Sequence, residues 1–392
     1  MRLMIKKAKG LWAAVLPILV AVPMLISGEA AAQAKPPLKI GAFLSATGAA
    51  SYLGSGEMKT LALYVDMLNM AGGIDGRKIE LFAYDDETDA ARANTLVKRM
   101  ISNDQVHAII GGSTTGTTMS AVPLVEKAGI PMLSLAGGSV IVEPVKKTVF
   151  KMNHTDAVAV SKVFNHMRAQ GITNIGIIAG TDAFGRAALT ASQKVAPQKG
   201  IKILREESFN PKDTDMTAQL TKLRQESGIQ AILNLGFGEP AVMVARSYRQ
   251  LGIELPHYGT HALASDTFLK LAGPAAEGMI MTNGAILVAD QLAQNDPQRP
   301  VVQGYVKAYK DKYDEAPSFF GGNAYDALML IKNAVQKSGS IDPQKIRDGI
   351  EKNDPFIGVT GKFRMSETDH VGLTEDSLKV VRVKDGKWLL IQ

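Results

Sequence analysis

The sequence predicts an α/β protein of two doubly wound, Rossmann-like lobes joined by a hinge of several chain crossings. Three observations predict it. Short apolar runs of strand length alternate with amphipathic stretches of helical period. The alternation is completed once before residue 150 and begins again near residue 174. No low-complexity linker separates the two rounds, so the lobes must be joined by short crossings. Alternation of this kind builds parallel sheets covered by helices on both faces.

The first 34 residues read as a secretory leader. Arg2, Lys6, Lys7 and Lys9 make a positive head, and an apolar run from Leu11 to Ile26 follows, broken only by Pro17 and Pro23. Ala32 and Ala34 flank Gln33, which places cleavage after Ala34, with Ala32 as the alternative. There is no cysteine, so neither a disulfide nor a lipidated N-terminal cysteine is expected. An exported, untethered chain of this composition suits the periplasm.

The remaining elements follow in order. Leu38 to Leu44 reads as a strand, and Met58, Leu61, Ala62, Val65 and Leu68 recur at helical spacing until Gly72-Gly73 stops them. Ile79 to Tyr84 is the next strand, and Ala93, Leu96, Val97, Met100 and Ile101 mark the next helix. His107 to Ile110, a helix from about Thr117 to Lys127, and Met132 to Leu135 complete the first round.

The second round has strands at Asn174 to Ala179, Lys202 to Ser208, Ala231 to Leu235, near Tyr258 and at Met279 to Thr282. Its helices are expected from Gly185 to Val195 and along the stripe Ala241, Val244, Ala245, Tyr248, Leu251. Long helices then follow near Val301 to Lys312 and Ala324 to Lys337. A hairpin closes the chain, with Asp385-Gly386 turning Leu378 to Val383 into Trp388 to Ile391. Crossings are expected near Asn153, Ala285 and Phe356. That assigns residues 35–152 and 285–356 to lobe 1, and residues 153–284 and 357–392 to lobe 2.

Charge and motifs exclude several function classes. Without the four basic residues and one glutamate of residues 1–34, the formal charge falls from +6 to +3, and no dense basic block remains for nucleic acid. Gly54-Ser55-Gly56 lacks the third glycine of a dinucleotide fingerprint. There is no Walker A sequence, no G-x-S-x-G elbow and no H-E-x-x-H pair. His257 and His261 are four apart, but Tyr258-Gly259-Thr260 between them reads as a strand end, not as a helix that would align two rings on a metal. His107, beside a buried strand, reads as structural. No enzyme, cofactor or metal site is expected.

The informative stretch is Gly111-Gly112-Ser113-Thr114-Thr115-Gly116-Thr117-Thr118, which follows a strand and opens a helix. Glycines permit close backbone approach, and hydroxyls with free N–H groups at a helix start cradle an anion such as a carboxylate. The plain alternative is that Thr115 or Thr117 caps the helix. Ala136-Gly137-Gly138-Ser139 is a second polar exit at a neighbouring strand end, where open α/β sheets bind ligands.

At these loops the chain resembles the branched-chain amino-acid (Leu/Ile/Val) binding proteins of ABC transporters, of the type I periplasmic binding fold. The likeness runs through LKIGAFLSATGAASYLG, AGGIDGRKIELFAYDDETDA, IIGGSTTGTT, GIPMLSLAGG, IGIIAGTDAFG and FFGGNAYDAL. The resemblance implies a monomeric periplasmic protein whose lobes close over a small-molecule ligand and deliver it to an ABC permease in the inner membrane. It carries the carboxylate loop onto Thr115, and a backbone carbonyl and N–H facing the ligand onto Ala136 and Gly138. At Gly138 the family has threonine, and Ser139 is the candidate to replace it. Tyr52, Phe184, Phe237 and Phe320 fall where the family has aromatic walls. Amino-acid binders of this family pair the ligand ammonium with a glutamate where this chain has His261. Unless Glu239 or Asp266 supplies that charge, a buried ammonium is left unpaired, at a cost of several kcal/mol. The expected ligand is therefore an aromatic or aliphatic carboxylate, its distal polar group read by His261 and Tyr52. The alternatives are a neutral amino acid such as leucine, or service as an exported ligand sensor.

Overall fold

The computed structural model describes residues 35–391, and the expected leader, residues 1–34, lies outside them. The chain opens with β1 (Leu38–Leu44), α1 (Ser51–Met70), β2 (Ile79–Asp85), α2 (Ala90–Arg99), β3 (Ala108–Gly111), α3 (Thr115–Ala128), β4 (Met132–Ser134) and β5 (Val149–Lys151). These strands form a parallel five-stranded sheet in the order β2-β1-β3-β4-β5. β3 and β4 are buried along their whole length, which is why they read as unbroken apolar runs.

The second set is α4 (Asp156–Ala169), β6 (Asn174–Gly180), α5 (Ala183–Val195), β7 (Lys202–Phe209), α6 (Thr217–Gln225), β8 (Ala231–Leu235), α7 (Gly238–Gln250), β9 (His257–Gly259), α8 (Asp266–Ala272) and β10 (Ile280–Asn283). Then come α9 (Arg299–Tyr313), α10 (Phe319–Ser338), α11 (Pro343–Glu351), the short pair β11 (Phe356–Ile357) and β12 (Lys362–Phe363), and the hairpin β13 (Lys379–Lys384) and β14 (Lys387–Leu390). The second sheet runs β14-β13-β10-β9-β8-β6-β7. It is parallel from β10 to β7, and the closing hairpin adds an antiparallel edge.

The chain changes sheet between β5 and α4, and again after β10, because α9, α10 and α11 pack on the first sheet's side, against α1 and β3. The return to the second sheet comes later than Phe356. Asp326 of α10 accepts the N–H groups of Val359 (2.7 Å) and Thr360 (2.8 Å), and His370 stacks on Phe150 of β5 and bonds the Val149 carbonyl at 2.8 Å. Residues 358–373 therefore run along the first sheet's side. Glu375 is the first to engage the second, accepting from Ser161 and Asn165 of α4. The sequence signal at Phe356 is a local hairpin, β11 with β12, not a crossing.

Candidate functional site

A small cavity lies where the carboxyl ends of both sheets meet. Tyr52 and Leu53 reach it from α1, Ser113, Thr114 and Thr115 from the turn between β3 and α3, and Leu135 and Gly137 from the exit of β4. Asn153 enters from the first crossing, Phe184 and Phe237 from the starts of α5 and α7, His261 and Ala262 from the exit of β9, and Phe320 from α10. This is the usual place for a ligand in open α/β sheets.

The helix start at Ser113–Thr118 separates capping from ligand duty. The cap is Thr114, whose hydroxyl accepts the Thr117 N–H at 3.2 Å while Thr117 reaches back to the Thr114 N–H at 3.4 Å. Thr115 is thus not the cap, and Thr117 serves the cap from three residues inside the helix. The Thr115 and Gly116 N–H groups, in the first turn, have no intrahelical acceptor.

Thr115 Oγ1 accepts the Gly138 N–H at 3.2 Å, so this N–H ties two loops together instead of facing the cavity. A Cβ at Gly138 would lie 2.6 Å from Thr115 Cγ2 and 2.7 Å from its Oγ1. A side chain at Gly138 would therefore collide with that of Thr115. Gly137 is the member of this loop that lines the cavity; Ala136, Gly138 and Ser139 are buried but do not. Ala136 donates its N–H to Ser134 Oγ at 3.3 Å. Ser139 donates its N–H to Asp156 at 3.0 Å and lines a separate groove beside α5, so it does not offer its hydroxyl to the cavity.

The aromatic positions do converge. Phe184 and Phe237 meet edge to face at 5.8 Å, and Tyr52 and Phe320 at 5.7 Å, giving two apolar walls. The Tyr52 hydroxyl accepts the Gly238 N–H at 3.0 Å and lies 3.5 Å from the Ala262 carbonyl. It is therefore occupied with the second sheet's loops and is not free to read a ligand. Gly238 has φ +67°, a conformation that favours glycine. Beyond Tyr52 lies an outer groove that contains Glu239.

His261 is 1% exposed, and neither ring nitrogen has a partner among the described residues. Burial, reinforced by the Lys151 ammonium, depresses its pKa to about 3, so it is neutral at ordinary pH. The Asn153 Oδ1 is likewise buried without a partner. No Asp or Glu lines the cavity among the described residues. Of the two acids expected as possible partners for a ligand ammonium, Glu239 sits in the outer groove and Asp266 accepts the Trp388 indole N–H at 2.9 Å.

Two buried polar groups back the cavity. Lys151, with no exposed surface, donates to the carbonyls of Asn153 (2.6 Å) and His154. Burial pushes the Lys151 pKa down and that of its neighbour Asp156 up. Behind the turn between β3 and α3, Ser113 Oγ accepts the Ser45 N–H at 2.9 Å and bonds to Glu57 Oε2. The Ser45 hydroxyl in turn donates to Asp86 at 2.7 Å. Burial raises the Glu57 carboxyl to about 8.

Sequence reasoning missed Ser113 as a separate contact, Asn153 as more than a crossing, and Glu57 altogether. For Glu57 the signal was faint. Gly54, Gly56 and Thr60 around it form a small-residue face on α1, and a Cβ at Gly54 would come within 2.2 Å of the Ser45 backbone. That close approach puts Glu57 inside.

A family model described as periplasmic binding protein matches residues 37–387. A leucine-, isoleucine-, valine-, threonine- and alanine-binding protein of Pseudomonas aeruginosa is 25% identical over 348 residues, covering 88% of this chain and 90% of that one. The crystal structure of an extracellular ligand-binding receptor from Rhodopseudomonas palustris HaA2 superposes with a TM-score of 0.84 at 28% identity, covering 91% of this chain and 99% of that one. A branched-chain amino-acid transporter substrate-binding protein of Streptococcus pneumoniae, solved with isoleucine, gives a TM-score of 0.80 at 24% identity over 91% and 99% of the two chains, a likeness of fold.

Proposed function

Because this chain belongs to the periplasmic binding protein family, among the substrate-binding proteins of branched-chain amino-acid ABC transporters, we propose that it captures a small carboxylate with an apolar body and no ammonium group. The family is one of binding proteins, not enzymes, and its members work with an inner-membrane permease.

In this reading the carboxylate lies against the Thr115 and Gly116 N–H groups and the Ser113 and Thr115 hydroxyls. The body is held between the Phe184–Phe237 and Tyr52–Phe320 walls, and a distal polar group meets His261 and Asn153. The protein works as a periplasmic monomer. The lobes, divided near Asn153, Ala285 and Thr374, rotate shut over the ligand because it touches both. Micromolar affinity needs only about 8 kcal/mol, which a well-held carboxylate and two aromatic walls can supply.

The observation that carries the ligand class is the neutral His261 in a cavity whose lining contains no Asp or Glu among the described residues. An ammonium buried there would lack a counter-charge, at several kcal/mol. A second reading, a branched-chain amino acid, is favoured by the name of the Pseudomonas aeruginosa relative. Calorimetric titration of residues 35–392 with benzoate, a para-hydroxylated benzoate, hexanoate, leucine and isoleucine separates the two. The carboxylate reading expects the acids to bind and the amino acids to fail; tight binding of leucine with none of benzoate or hexanoate reverses it.

A further inference from the structure

Behind the proposed carboxylate loop the structure holds a buried pair of acids that the capture mechanism does not use. Glu57, on α1, has no exposed surface. One of its oxygens bonds to Ser113 Oγ, and the other has no partner among the described residues. Asp86, just past β2, accepts from the Ser45 hydroxyl (2.7 Å) and the Thr88 N–H (2.9 Å) through one oxygen, and its second oxygen is also unpartnered.

Burial is the main cause that raises the Glu57 carboxyl, and the nearby Asp86 charge adds to it; Tyr52, five residues earlier on the same helix, feels the Glu57 charge in turn; no cation is among the groups that shift Glu57. Two ionised carboxylates here would repel each other in a medium that screens poorly. Burial raises the Asp86 carboxyl as well, but Asp86 has two donors to support a charge and Glu57 has one hydroxyl, so the proton resides on Glu57.

That proton decides what Ser113 can do. A serine hydroxyl has one proton to give. Its oxygen already accepts the Ser45 N–H. An ionised Glu57 can only accept, so it claims the Ser113 proton. A protonated Glu57 donates to Ser113 Oγ, and the serine proton is then free to point into the cavity that Ser113 lines.

We infer that Glu57 is a positioning residue for ligand capture: protonated, it turns the Ser113 hydroxyl toward a bound carboxylate, and on ionising it turns that hydroxyl away. This rests on the reading that the cavity takes a carboxylate, and it adds that capture is linked to a proton held outside the ligand's reach.

Two measurements on residues 35–392 test it. The first needs no ligand. The infrared difference spectrum between the native protein and Glu57→Gln at about pH 7 should contain one protonated-carboxyl stretch, lost at about pH 9. Its absence overturns the inference whatever the cavity binds. The second is the affinity for benzoate, which has no group titrating in this range, with isoleucine as probe should benzoate fail. The native protein should bind about tenfold more weakly at about pH 9 than at about pH 7. Glu57→Gln, whose amide is a permanent donor to Ser113, should bind with no such fall. A flat native profile, or a variant with the same fall, overturns the inference. Failure of benzoate with success of isoleucine removes the ligand-class proposal and leaves the Glu57 test standing on the second probe.

Discussion

The Tyr52 hydroxyl and the Gly238 N–H meet at 3.0 Å, joining the first turn of α1 to the first residue of α7. The same ring forms one wall of the cavity and separates it from the outer groove. A residue that walls the cavity is thus also a clasp between the two sheets' sides, so ligand affinity and closure should be sensitive to one atom. Tyr52→Phe keeps the wall and deletes the clasp. Its affinity for the cognate ligand should fall by about threefold to tenfold, the worth of one net hydrogen bond, and small-angle scattering of the liganded variant should give a larger radius of gyration. Unchanged affinity and compactness would show that the clasp is incidental.

Thr115 holds the Gly138 N–H and has a proposed second duty toward the ligand, and substitutions test both. Thr115→Val removes the acceptor of the Gly138 N–H and the proposed hydroxyl contact together. It should weaken a carboxylate ligand by about 1.5–3 kcal/mol and also lower stability. Thr115→Ser should restore most of both. Titration calorimetry and urea unfolding on the two variants read the outcomes, and a valine variant of native affinity would take Thr115 out of the site.

Acid should destabilise the protein through its buried histidines. His257 and His261 are held near 3 by burial, well under the ordinary 6.5, and His154 lies well below it too. Between about pH 6.5 and 3 the unfolded chain takes up protons that the folded one refuses. The stability from these rings is complete above about pH 6.5 and is lost as pH falls through that window. The raised carboxyls of Glu57 and Asp326 act oppositely, costing stability as pH rises from about 4 toward 7–8, so a variant must be compared with the native protein. His257→Phe retains a ring to stack on Tyr248, where the centroids are now 4.3 Å apart. Its stability from denaturant midpoints should decline less steeply below about pH 6. Parallel curves would exclude His257 as a contributor.

Asp326 should prove a large single contributor to stability outside the cavity. Its carboxylate holds the Val359 and Thr360 N–H groups and accepts the Thr360 hydroxyl at 2.6 Å. Asp326→Ala would strand these buried donors, at about 2–4 kcal/mol, visible as a lower urea midpoint. A loss below about 0.5 kcal/mol would mean that water replaces the carboxylate.

How much of this was legible in the sequence depended on whether burial and hydropathy agreed. Leu38–Leu44 and Ala231–Leu235 are strands buried almost throughout, and their apolar runs announced them to the residue. β5 escaped because its three residues end in a buried lysine, which in a sequence reads as surface. α4 escaped because Ala157, Ala159 and Ser161 dilute its apolar stripe. The start of α1 was placed a turn or more late because Ser51, Gly54, Ser55 and Gly56, small or polar, interrupt the apolar spacing of its first turns. Of the candidate site, the convergence was legible: Tyr52, Thr115, Phe184, Phe237, His261 and Phe320 all line one space. The direction of individual bonds was not legible. Whether the Gly138 N–H faces a ligand or Thr115, and whether the Tyr52 hydroxyl faces inward or clasps α7, is settled by tertiary packing that no spacing encodes.

The ammonium of Lys151 is sunk at the end of the last strand of the first sheet, and two of its acceptors are carbonyls of residues that come just after it. Cutting the gene at this boundary would leave a naked cation in a greasy interior. The first half should therefore resist being produced as a free-standing fragment, and a split or circularly permuted version of the molecule should be opened at an exposed turn such as Asp385-Gly386, never here.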